Sequence, residues 1–132
     1  MKVLALDYGR ARTGVAVSDP TGTIARPLCV IERAGSDEGL ERVARLIADE
    51  EAERVVVGLP LTLQGSRGEQ AQETEAFVQA LRSRTDVPID TFDERFTTDL
   101  AEQVEVAKAA EDARAAAHLL SSYLAWSSGA PA

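Results

Sequence analysis

The chain has one cysteine, one histidine, one tryptophan and one methionine. Cys29 alone cannot close an internal disulfide, which excludes an internally cross-linked scaffold. It sits in an apolar run and reads as a packing residue rather than a reactive thiol. Aromatics make up only 5% of the residues, which does not favour a base-stacking platform, and Tyr123 and Trp126 read as packing residues. No apolar run approaches the length of a membrane span. Met1-Lys2 enters a strand directly, without an export-signal pattern, so the expected location is a reducing cytoplasm. Positive charge is also short: 14 Lys and Arg face 22 Asp and Glu, for a net charge of −8. Such a balance counts against coating nucleic acid by bulk charge, although a local basic rim remains compatible with it. It suits a site that collects divalent cations, and solubility explains most of the excess. Internal repeats, linkers and low-complexity blocks are absent.

What is present is enough for one ordinary domain. A chain of 132 residues with 45% apolar content can bury a substantial core. Val3–Leu6 is apolar on both faces and reads as a buried strand ending on Asp7. Gly14–Ser18 reads as a second strand and Ile24–Ile31 as a third, with Pro27 marking an edge or a bulge. Short connections make these three an antiparallel meander. Ser36 can cap a helix from about Asp37 to Glu51, with Leu40, Val43, Ala44 and Ile47 on one face. Arg54–Gly58 is a short buried strand, followed by the loop Leu59–Gly68. A helix from about Glu69 to Arg84 places Thr74, Phe77, Val78 and Leu81 on one face. Ile89–Phe92 is the fifth strand. Thr98 or Asp99 caps a helix to about Ala110. The last helix runs from about Glu111 to Trp126, with Ala113, Ala116, Ala117, Leu120 and Leu124 as its buried stripe. Strand–helix alternation in the second half implies parallel strands joined by crossovers.

Ligands collect at the carboxyl ends of parallel strands. Asp7 ends the first strand, Asp93 and Glu94 end the fifth, and Asp112 opens the last helix. A carboxylate at the tip of a central strand needs a cation to offset its burial. Gly9, two residues on, lets a ligand approach the backbone. The plain reading of Asp112 is a first-turn acid favoured by the helix dipole. The sharper reading is that Ala115 and Ala116, one turn on, let that end of the helix press against the sheet and carry Asp112 toward Asp7. Carboxylates meeting in one cleft repel unless a cation binds, and hard oxygen donors suit Mg²⁺ or Mn²⁺. Such metals activate water and stabilise a leaving oxygen in phosphodiester hydrolysis. Arg12 and Arg95 follow two strand tips and either hold phosphate or pair with local acids. Gly65–Gly68 with Arg67 either contacts phosphate through backbone N–H groups or is a plain connection. His118, six residues past Asp112 on a different helix face, reads as structural.

Five stretches together resemble the YqgF family: Asp7-Tyr8-Gly9 with Arg12-Thr13-Gly14-Val15-Ala16-Val17-Ser18-Asp19; Ala25-Arg26-Pro27-Leu28; Val57-Gly58-Leu59-Pro60-Leu61; Asp93-Glu94-Arg95-Phe96-Thr97-Thr98; and Asp112 leading into Ala115-Ala116. The members are named as pre-16S rRNA nucleases and also as Holliday junction resolvase-like proteins. The resemblance implies an α/β, RNase H-like fold: a five-stranded mixed sheet, three antiparallel strands then parallel ones, with helices on both faces. It implies a single nuclease domain over residues 1–126, with 127–132 as a C-terminal tail. It implies a cytoplasmic nuclease using Mg²⁺ or Mn²⁺ on Asp7, Glu94 and Asp112, with Asp93 ranked lower. Arg12 and Arg95 match the family's basic positions, and Arg67 joins them as an expected substrate contact. Expected partners are structured RNA or branched DNA and a pre-ribosomal particle, not a membrane; the expected assembly is a monomer or weak homodimer. Two departures stand out. Thr62 follows Leu61 where Asn or a similar polar residue is usual. Glu102–Glu111 is short, acidic and alanine-rich, with Lys108 its only base, where many relatives have a longer Gly- and Lys-rich loop.

Overall fold

The computed structural model describes residues 1–61, 68–94 and 111–127. The expected helix from Thr98 or Asp99 to Ala110, the departures at Thr62 and 102–110, and Gly65, Arg67 and Arg95 lie outside the described residues.

Strands β1 (Val3–Asp7), β2 (Arg12–Ser18), β3 (Ala25–Glu32), β4 (Arg54–Leu59) and β5 (Ile89–Asp93) form one sheet in the order β3-β2-β1-β4-β5. β1 pairs antiparallel with β2, and β2 with β3. β1 pairs parallel with β4, and β4 with β5. The five-stranded mixed sheet is therefore as expected. β2 begins at Arg12, earlier than its apolar pattern suggests, because Arg12 and Thr13 find cross-strand partners in Glu32 and Ile31. Pro27 lies on edge strand β3, opposite Ala16, and the register slips there between Val15 and Ala16. An edge position with a bulge is where a missing N–H can be tolerated.

The period of two in each central strand divides the core between the two faces. Leu4, Leu6, Val15, Val55 and Val57 point to one face, against helices α1 (Asp37–Asp49) and α2 (Glu69–Arg82). There they meet Leu40, Val43 and Ile47 of α1 and Phe77, Val78 and Leu81 of α2. Val3, Ala5, Ala16, Val56 and Phe92 point to the other face, against α3 (Glu111–Ser127). There they meet Ala116, Ala117, Leu120 and Leu124. Each helical stripe read from the sequence is buried, except that Ala44 at the margin of α1 is half-buried. The Ser36 Oγ accepts from the Gly39 N–H at 3.0 Å and caps α1 as expected. α1 ends at Asp49, short of Glu51, whose φ of 54° takes the chain out of the helix. Among the described residues no helix is long and apolar enough to cross a membrane.

Candidate active site

The parallel pairing of β1, β4 and β5 brings their carboxyl ends to one edge of the sheet. Leu59 is level with Asp93 there, and Asp7 closes β1. By strand alternation Asp7 shares the face of Val3 and Ala5, the face that α3 covers. Glu94, one residue past β5, reaches the same place. Its side chain has room because position 58 is glycine: a Cβ there would lie 2.7 Å from Glu94 Oε1 and 3.1 Å from Leu119 Cδ2. Gly14, the register partner of Asp7, has a matching role on the other side. A Cβ on Gly14 would fall 1.8 Å from the Asp112 carbonyl oxygen, so α3 begins directly against β2. Ala116, fully buried, lets the next turn follow. The approach of α3 expected from its small residues is thus matched by a strand glycine.

Asp7 and Glu94 are hydrogen-bonded to one another. Burial, the Asp7 charge and that hydrogen bond, with a smaller contribution from Asp93, push Glu94 up to about 7. Asp7 is also raised, by burial above all; the Glu94 hydrogen bond pulls it back down and the Asp112 charge pushes it up. Both carboxyls are therefore harder to ionise together than either would be alone. Asp112 is close enough for its charge to act on Asp7, but its carboxylate is ion-paired with Arg12, with Nε 3.2 Å from Oδ2. Arg12 thus takes the ion-pair option that the sequence left open.

Among the described residues no group of three His, Cys, Asp or Glu side chains is close enough to hold a metal ion. Two of the three expected ligands, Asp7 and Glu94, meet; the third is turned to Arg12. The donor chemistry fits a hard divalent cation all the same. Two carboxyls held together, both raised by burial and by each other or a neighbouring acid, are a site that a cation would stabilise in its ionised form.

Among the described residues, two hollows flank the acid pair. One, of about 550 Å³, extends along Tyr8, Gly9 and Arg10 to Pro60 and the first turns of α2. Tyr8 stacks on Phe77 at 4.5 Å between ring centroids. The other, of about 280 Å³, is lined by Asp7, Glu94, Ala115, His118 and Leu119. His118 thus borders the acid pair, a position its sequence reading as a structural residue missed. The available signal was its spacing from Ala115, since residues three apart share a helix face. Gly68 stands at the N-cap of α2 and supplies no side-chain cap.

A family model described as "RuvX: Holliday junction resolvase" matches residues 1–126. A Desulforudis audaxviator (strain MP104C) protein named "Putative pre-16S rRNA nuclease" is 39% identical, covering 94% of each chain. A Roseiflexus sp. (strain RS-1) protein of the same name is 45% identical over 80% of this chain and 74% of the relative. In fold, the chain is similar to T. thermophilus RuvC in complex with a Holliday junction substrate. The TM-score is 0.71 at 15% identity, covering 98% of this chain and 97% of the other.

Proposed function

Because the chain belongs to the RuvX, Holliday junction resolvase, family, we propose that it is a divalent-metal-dependent endonuclease that hydrolyses phosphodiesters in 5′-end maturation of pre-16S rRNA. The reading rests chiefly on the half-buried Asp7–Glu94 pair at the carboxyl edge of the sheet, with Asp112 beside it. When bound there, Mg²⁺ or Mn²⁺ would supply water activation and charge stabilisation at the leaving oxygen. Asp7 and Glu94 would hold it, with Asp112 joining once Arg12 turns away. Arg12, released from Asp112, then has a guanidinium fork for a phosphate at the site. Arg67 and Arg95 belong to the proposal as further phosphate contacts. Residues 1–126 act as one nuclease domain, and the partner is structured RNA on a pre-ribosomal particle.

The RNA reading is favoured over junction cleavage by charge. A junction resolvase needs a broad basic face for four duplex arms and a two-fold pair of sites, whereas this chain carries a net charge of −8. The test is turnover by purified protein with Mg²⁺ or Mn²⁺ on a precursor rRNA fragment and on a mobile four-way junction, with Asp7→Asn as control. RNA cleavage that Asp7→Asn abolishes is expected. Paired symmetrical nicks in the junction, much faster than RNA cleavage, would reverse the substrate assignment.

A further inference from the structure

Arg10 lies in the connection between β1 and β2, three residues past Asp7, and Glu73 lies on α2. They form a two-pronged ion pair across the larger hollow: Arg10 Nε donates to Glu73 Oε2 at 3.3 Å, and Nη2 donates to Oε1. The other charged residues lining this hollow among the described ones are Asp7, Glu69 and Glu94, all acids. A strand whose scissile phosphate sits at Asp7 and Glu94 has its neighbouring phosphate close by, and Arg10 is the described cation on that side. The pair is lopsided. The Arg10 side chain is 76% exposed, whereas that of Glu73 is 32% exposed, on a helix whose neighbouring Thr74 is buried. The guanidinium is therefore the part that can swing, on a long stem, while the carboxylate stays fixed. Exposed ion pairs are weak, and a phosphate offers the same two-oxygen partner.

We infer that Glu73 holds Arg10 in reserve and that a phosphate of the substrate strand displaces it, so that Glu73 sets how tightly nucleic acid binds rather than how fast it is cut. The inference rests on the nuclease reading above. It makes Arg10 a substrate contact on the α2 side of the cleft and Glu73 a positioning residue that acts through Arg10.

The test is a double-mutant cycle on binding, with wild type, Glu73→Gln, Arg10→Ala and the double variant. Anisotropy of a labelled single-stranded RNA, and separately of a labelled four-way DNA junction, reads Kd with Ca²⁺ replacing Mg²⁺ so that binding is measured apart from turnover. Salt near 0.15 M screens charges more than about 8 Å apart. Thermal melts verify that each variant is folded. Glu73→Gln is expected to tighten binding about twofold to fivefold, and Arg10→Ala to weaken it by a similar factor. Adding Glu73→Gln to Arg10→Ala is expected to change nothing. In turnover with Mg²⁺, Glu73→Gln lowers KM and leaves kcat unchanged. The inference is overturned if Glu73→Gln binds no better than wild type. It is equally overturned if the gain persists in full without Arg10, which would mark a general charge effect. Wild type binding neither probe would instead overturn the nuclease reading, and this inference with it.

Discussion

Burial and the Asp7 charge raise Glu94, and that has a measurable consequence for stability. Its folded value, about 7, lies above the ordinary 4.5, so the folded state binds more protons than the unfolded one between those limits. Stability then falls as pH rises through that window. The metal-free protein is expected to melt higher near about pH 5 than near about pH 8, by up to about 2 kcal/mol once solvent screening of this half-buried group is allowed for. Thermal melts across that range check the sign, and Asp7→Asn should flatten the slope by removing the neighbouring charge. The same residues carry the activity prediction. Asp7→Asn, Glu94→Gln and Asp112→Asn should each abolish turnover, at least about a hundredfold, while far-UV circular dichroism stays native. Asp112 is the discriminating case, because it is held by Arg12 rather than grouped with the other two acids. If Asp112→Asn keeps most of the activity with Mg²⁺, Asp93 or Glu111 becomes the third ligand to test.

At the level of elements, the site depends on how closely α3 seats against β2. Gly14 permits that seating, since a Cβ would collide with backbone rather than with a flexible side-chain end. Gly14→Ala is expected to cost roughly 1–3 kcal/mol in denaturant unfolding and to displace the start of α3. Its loss of activity should exceed what the lost stability explains, because Asp112 moves with the helix. Ser36→Ala is the matched control. It removes the cap of α1, on the opposite face of the sheet from α3, and should cost about 1 kcal/mol with kcat unchanged. Equal activity in both variants would detach α3 placement from catalysis.

Over the whole molecule, electrostatics limits binding. A few guanidinium–phosphate contacts work against a net charge of −8. The slope of log affinity against log salt is therefore expected to be only about −2 to −4, measured by anisotropy across a salt series. A slope near zero would remove phosphate contacts from the account. The acidic balance also favours a substrate presented by a particle that supplies other contacts, so turnover on free RNA should be slower than on a precursor particle.

The sequence by itself determined the layers and the two strand-end acids. Alternation along Val3–Asp7 and the helical stripes of α1, α2 and α3 are local periodicities, and they dictate which face each residue buries. Asp7 was legible because it ends an apolar strand, and Glu94 because it follows another. Tertiary structure alone decided the pairings among charges. Arg12 with Asp112 and Arg10 with Glu73 lie far apart in the chain, so no local pattern carries them. The same holds for the roles of Gly14 and Gly58, which are set by what packs against them rather than by their own backbone angles. His118 escaped for a related reason. Its helical angle from Asp112 was read correctly, but α3 packs over the sheet face that carries Asp7, so a second line of its surface also borders the acids. Periodicity says which side of an element is buried; only the packed sheet and helix say what it is buried against.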